Sequence, residues 1–276
     1  MPYIPSRHPG PPILLKNGVI ETIYSSLFRK VKAVPYQRER LELPDGDFID
    51  LDWLKKGSNK LVILVHGLEG SSRRPYLMAL ADIFHQNGWD VLAWNARSCS
   101  GEMNRTFRLY SHADIDDLTL VMDRLINQGQ WNSLCLLGVS MGGNMVLKYG
   151  GTKGLEIEHS ILKSIISIST PLDLGATARN LDKPEKFIFN WKFSKNLKTK
   201  ITAKAEQFPG RLDLSKFESI KTWEDFDNAF TIPLTPYEDA QEFYFAGSGL
   251  NFLNGIRIPT LILNTEYDPI LTPESL

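Results

Sequence analysis

The chain has 276 residues, 42% hydrophobic and 23% charged, enough to bury a large core as one α/β domain or as a core carrying an inserted subdomain. Its formal net charge of -1 gives no bulk attraction to nucleic acid, and apolar runs such as Leu61 to Val65 are far too short to cross a bilayer. Cys99 and Cys135 are too few for a disulfide framework, and the stretch from Met1 to His8 has no signal-like apolar run, so the expectation is a soluble, cytoplasmic protein.

Arg38 to Leu43 and Phe48 to Trp53 alternate around Pro44-Asp45-Gly46-Asp47, which predicts a β-hairpin. Leu61 to Val65 is a continuous apolar strand, as expected where both faces of a sheet are covered. Pro75 to Asn87 has apolar residues at helical spacing and stops at Gly88. Val91 to Trp94 is the next strand, and Asp114 to Gln128 an amphipathic helix with acids at its start. Leu134 to Leu137, Ser164 to Ser169 and Pro259 to Asn264 read as further strands. Alternating strands and helices predict a mostly parallel sheet with helices on both faces and a ligand site beyond the carboxyl ends of the strands.

Between Leu137 and a helix containing Asn144 to Tyr149 stands Gly138-Val139-Ser140-Met141-Gly142. Strand, Gly-x-Ser-x-Gly, helix is the nucleophile elbow of an α/β-hydrolase, a sharp turn that presents the serine hydroxyl above the sheet. Gly138 and Gly142 permit the close backbone approach on either side. Ser140 is therefore the expected nucleophile, activated by proton transfer to a base and forming an acyl-enzyme. The chain order Ser, Asp or Glu, His points to Asp268, just past a strand, as the acid, with Glu266 the less suited neighbour. No histidine follows His159. His66 precedes the nucleophile and is rejected as the base. The His66-Gly67 pair instead shapes the loop whose Leu68 N–H, together with that of Met141, forms the oxyanion hole. His8, His85, His112 and His159 are read as surface or structural residues. Scattered histidines and cysteines offer no metal-ligand spacing, and no nucleotide-type glycine loop is present, so no cofactor is expected.

Residues 171–230 break the alternating pattern and are expected to form a cap inserted between core segments 1–170 and 231–276. Phe187, Phe189, Trp191 and Phe193 crowd together there, either lining an acyl pocket or docking the insertion onto the core. Lys195, Lys198, Lys200 and Lys204 follow on one predicted helix. With Glu185 and Glu206 flanking them, they are read as a solvated face in preference to a peripheral contact with an anionic membrane.

The chain resembles the YheT-like α/β-hydrolases over nearly its whole length. The resemblance is carried by Asn17-Gly18, Leu43-Pro44-Asp45-Gly46-Asp47-Phe48, His66-Gly67-Leu68-Glu69-Gly70, Asn95-Ala96-Arg97, the elbow through Asn144, Pro171-Leu172-Asp173-Leu174, Phe226-Asp227-Asn228 and Tyr267-Asp268-Pro269. It implies a carboxylesterase or lipid hydrolase, with Arg97 among the supporting loop residues. Tyr110-Ser111-His112-Ala113 and Thr235-Pro236-Tyr237 depart from the family pattern. Relatives of this kind continue to a catalytic histidine, so the expectation is a fragment of a longer chain, impaired for want of its base. The substrate class is a small-molecule ester or lipid. The alternatives are an acyltransferase or thioesterase using the same serine, and a non-catalytic ester-binding protein.

Overall fold

The computed structural model describes residues 3–6, 10–12, 16–27, 30–157 and 159–276; His8 lies outside the described residues. Asn17 Oδ1 accepts the Val19 and Ile20 N–H groups at 3.0 and 3.2 Å and starts helix α1 (Gly18–Leu27), which the sequence pattern did not predict. Strands β1 (Gln37–Glu42) and β2 (Phe48–Leu54) form the expected antiparallel hairpin. Then follow β3 (Lys60–Val65), α2 (Pro75–Gln86), β4 (Asp90–Asn95), α3 (Asp116–Gln128), β5 (Ser133–Val139) and α4 (Met141–Thr152). A one-turn helix α5 (Gly154–Ile157) leads into β6 (Leu162–Ile168).

Among the described residues the sheet has seven strands in the order β1-β2-β4-β3-β5-β6, with β7 (Thr260–Leu263) at the far edge. β2 pairs antiparallel with β1 and β4, and the strands from β4 to β7 are parallel. Side chains alternate between faces, as the two-residue strand period requires. Leu61, Ile63, Leu92, Leu134 and Leu136 pack with α3 and α4, whereas Val62, Leu64, Val91, Ala93 and Leu137 pack with Leu77 and Ala81 of α2. Burial on both faces explains the unbroken apolar run of β3. α3 begins two residues later than its acidic start predicts, because the Asp114 carboxylate accepts the Asp116 N–H at 2.8 Å and holds the preceding turn outside the helix.

Between β6 and β7 the chain turns helical: α6 (Leu174–Leu181), α7 (Phe187–Gln207), α8 (Trp223–Phe226) and α9 (Ala240–Gly247). These elements form their own apolar cluster, with Phe189, Ile201, Trp223, Phe226 and Phe230. The cluster continues past residue 230 through Leu234, Ala240, Phe243 and Tyr244, so the packing of the insertion has no break there. No described helix is long and apolar enough to cross a membrane.

Candidate active site

Among the described residues, four non-glycine positions adopt positive φ: Glu69, Ser98, Ser140 and Ser169. They follow β3, β4, β5 and β6 respectively, so backbone strain collects at the carboxyl edge of the sheet, where an open α/β sheet places its ligand. Ser140 has φ 56° and ψ -120° and is held by its N–H to Ile168 O at 2.9 Å. The flanking glycines explain themselves by contact. A Cβ on Gly138 would collide with Gly142 O, and one on Gly142 would meet Val65 O and His66 O. The turn is thus pressed against the loop after β3, and no larger residue fits at either position.

Met141 opens α4, so its N–H has no intrahelical acceptor. Leu68, in the loop after β3, makes no backbone hydrogen bond through its N–H among the described residues. Both residues border one cavity of about 130 Å³ together with Ser140. The opposite wall comes from the helical segment, through Leu174, Phe193, Trp223, Phe226 and Phe243. The space is mostly apolar, and Ser140 is part of its lining.

His66 is fully buried and stacked on Trp94. The Ala96 N–H donates to its Nε2 at 3.1 Å, so the proton sits on Nδ1, 2.8 Å from Gly67 O. Burial pushes its pKa down to about 4. A neutral imidazole with both nitrogens occupied holds the Gly67 loop, which fits the supporting role and not that of a base.

Asp268 lies in the turn after β7 and is half-buried. Burial raises its pKa, against the opposing hydrogen bonds from the Ile270 and Leu271 N–H groups and the Ser169 hydroxyl. It does not border the cavity, and no described histidine bonds to it. The structure therefore brings together Ser140, Leu68 and Met141 in one cavity and leaves Asp268 at the same sheet edge outside its wall.

Arg97 is a buried hub. It grips Asp117 through two hydrogen bonds of 2.7 and 2.8 Å and reaches Asp45 and Asp47 in the hairpin turn at 2.6 and 3.0 Å. Burial pushes the Asp47 carboxyl up, but donors from Asn104, Thr106, Arg105 and Phe48 outweigh it and hold the group well below the usual carboxylate range. Arg97 ties the turn between β1 and β2 to the loop after β4 and is absent from the cavity wall.

Further residues border or flank the cavity. His112 borders the cavity beside Phe243, 5.0 Å between ring centroids, and burial drives its pKa down to about 4. It packs against Phe243 at the edge of the cavity, which is compatible with its reading as a structural residue. Glu69, next to the Leu68 donor, forms an ion pair of 2.8 Å with Lys200 of α7. Tyr110 OH donates to Glu69 Oε1 at 2.5 Å and receives the Glu69 N–H at 2.9 Å. Lys204 is fully buried and donates to the carbonyls of Asn104 and Thr106 at 3.1 and 2.7 Å. The lysine run is therefore no uniform solvated face: Lys200 and Lys204, four residues apart, share the inner side of α7 and tie it to the loops after β3 and β4. Of the four aromatics, Phe193 borders the cavity and Phe189 is buried, whereas Phe187 and Trp191 face outward. Asp227, in a wide π-type turn after α8, also borders the cavity and bonds to Tyr244 OH at 2.7 Å; burial raises its pKa to about 6. The Cys99 thiol is buried and pushed up to about 11, so it offers no competing nucleophile. Among the described residues no group of His, Cys, Asp and Glu side chains has a metal-binding arrangement.

The mostly parallel seven-stranded sheet with helices on both faces defines the class. Residues 60–276 match the family model described as alpha/beta hydrolase fold, and the chain belongs to that family. Within it, the chain belongs with the YheT-like members: it is 31% identical over 273 residues to "Putative esterase YheT" of Escherichia coli, covering 94% of this chain and 79% of that protein. It is 26% identical over 263 residues to phospholipase ABHD3 of Bos taurus, covering 92% of this chain and 63% of that one. It is also 26% identical over 255 residues to medium-chain fatty acid ethyl ester synthase/esterase 2 of Saccharomyces cerevisiae, covering 82% of this chain and 54% of that one. The chain spans less than two thirds of the length of the bovine and yeast proteins. Among solved structures, the Pyrococcus furiosus esterase Pf2001 shares the fold, with a TM-score of 0.50 at 18% identity over 86% of each chain.

Proposed function

We propose that this chain is a serine hydrolase of carboxylic esters with a hydrophobic acyl group, working through an acyl-enzyme on Ser140. The observation that carries the reading is the strained Ser140 on the wall of an apolar cavity that Leu68 and Met141 also border. Ser140 Oγ attacks the ester carbonyl carbon and passes its proton to a base, and the two N–H groups take up the charge on the carbonyl oxygen. The alcohol leaves with a proton, and water then releases the acid from the serine. Asp268 is assigned to orient the imidazole base, and residues 171–230 to act as the cap over the acyl group. Because no described histidine bonds to Asp268, the 276-residue chain is expected to turn over slowly; loss of one triad member leaves about 10³- to 10⁴-fold acceleration over water.

The names of the relatives, an esterase, a phospholipase and an ester synthase/esterase, support an ester or lipid substrate. The last also keeps acyl transfer to an alcohol or thiol open as a second reaction of the same acyl-enzyme. A second reading, left open because Asp268 does not border the cavity, is an ester-binding protein without turnover. The test is hydrolysis of p-nitrophenyl esters of increasing acyl length by the wild-type chain and Ser140→Ala. Turnover that rises with acyl length and disappears in the variant is expected. Turnover unchanged in Ser140→Ala overturns the assignment, and saturable ester binding without turnover establishes the second reading.

A further inference from the structure

Helix α7 has two working faces. Its inner face supplies Phe193, Leu197, Lys200 and Ile201 to the cavity above Ser140. Its outer face carries Phe187, Ile188 and Trp191, which are 68%, 52% and 54% exposed. Phe187, Trp191, Lys195 and Lys198 recur at three- and four-residue spacing and border one shallow outer groove, with Lys195 Nζ 5.1 Å from the Trp191 ring centroid. Large apolar side chains held in water at adjacent positions mark an interaction surface. The charge around them says of what kind. Residues 183–199 hold five lysines against the single Glu185, in a chain whose net charge is -1. Glu185 and Glu206 lie at the two ends of this face and do not interrupt the Trp191, Lys195, Lys198 stripe.

We infer that the outer face of α7 docks on an anionic lipid surface, with Phe187, Ile188 and Trp191 entering the headgroup boundary and the lysines meeting the negative charge. An exposed aromatic and aliphatic edge beside a lysine stripe is the composition of a helix that lies in the membrane interface. This deepens the proposed function: the helix that roofs the cavity rests on the phase that holds a lipid ester, so substrate passes to Ser140 along one element. Substrates presented in a bilayer are then favoured over the same ester free in water.

The test is co-sedimentation with vesicles of phosphatidylcholine containing about one third phosphatidylglycerol, using Ser140→Ala protein so that hydrolysis plays no part. Binding to these vesicles is expected, falling with added salt and on vesicles of phosphatidylcholine alone. Withdrawing each lysine from the surface should weaken binding about fivefold, so Lys195→Glu with Lys198→Glu should lower it by more than about 25-fold. Trp191→Ala should weaken it as well, with an unchanged unfolding midpoint for both variants. Failure to bind the mixed vesicles, or binding indifferent to these substitutions, overturns the inference. A Trp191-dependent dimer that ignores vesicles assigns the face to a second copy and also overturns it. Hydrolysis of a water-soluble short-chain ester separates the two levels. Ser140-dependent hydrolysis without vesicle binding defeats the docking surface alone, and vesicle binding without Ser140-dependent hydrolysis defeats the catalytic reading alone.

Discussion

Removing Lys200 probes how the helical segment is joined to the loop carrying the Leu68 donor. The Lys200–Glu69 pair is 2.8 Å long, and the two side chains are only 10% and 9% exposed. At an effective dielectric constant of about 20, that separation gives an attraction of about 6 kcal/mol, much of it offset by desolvation. Lys200→Met leaves the Glu69 carboxylate buried with the Tyr110 hydroxyl as its remaining side-chain donor, which should cost about 3 kcal/mol, the low end of the range for a broken buried pair. Glu69→Gln alone should cost a similar amount, because it strands the ammonium. The double variant should lie within about 1 kcal/mol of wild type, since neither charge is then left unpaired. Urea unfolding of the four proteins measures the cycle. On the proposed role of the Leu68 N–H in the oxyanion hole, the single variants should also lose kcat more than KM for the ester, since displacing such a donor costs about 10²- to 10³-fold in rate. Additive single effects, within about 0.5 kcal/mol, would refute the reasoning.

Gly142→Ala should cripple both folding yield and ester turnover, because its Cβ has no space against Val65 O and His66 O, 2.6 Å away in the second case; circular dichroism melting checks the first and hydrolysis the second. Arg97→Met should destabilise the protein by about 3–5 kcal/mol, by urea unfolding, because it leaves the fully buried Asp47 and its neighbour Asp117 without their cation. Acidification should weaken the fold between pH about 6.5 and 4. His66 is held neutral by burial with its pKa near 4, so the unfolded chain binds the proton first, a loss of about 3 kcal/mol across that window. His112 adds to the same slope, and His112→Phe should make it shallower. Asp227 acts in the opposite sense: its raised pKa near 6 makes stability fall as pH rises from about 4 to 6, so Asp227→Asn should steepen the net gain on raising the pH. Urea midpoints across this pH range test both signs.

What was legible in the sequence is what local pattern encodes. The Gly138–Gly142 turn declares itself because backbone contacts leave no room for a Cβ at either glycine, and β3 declares itself because burial on both faces leaves an apolar run. The turn after β3 was legible from His66-Gly67 at a strand end. The far wall of the cavity was not. Glu69 and Lys200 meet only because α7 folds back over the loop after β3, and no spacing in the sequence links them. Lys200 and Lys204 look like surface residues in a lysine run, yet helical periodicity turns them inward while Lys195 and Lys198 stay outside. His112 carries no local sign of its role, since Phe243 and the cavity reach it from a different part of the chain. Helix α1 was missed because its signal is a single Asn17 cap on a short segment.

The most direct measurement on the central claim is the intact mass of the 276-residue protein after exposure to a fluorophosphonate, with Ser140→Ala as control. One adduct per chain, formed slowly, located on Ser140 by peptide mapping and absent from the variant, is the expected result. An equal adduct on Ser140→Ala, or a folded wild-type protein that never reacts, would contradict the assignment of Ser140 as the nucleophile.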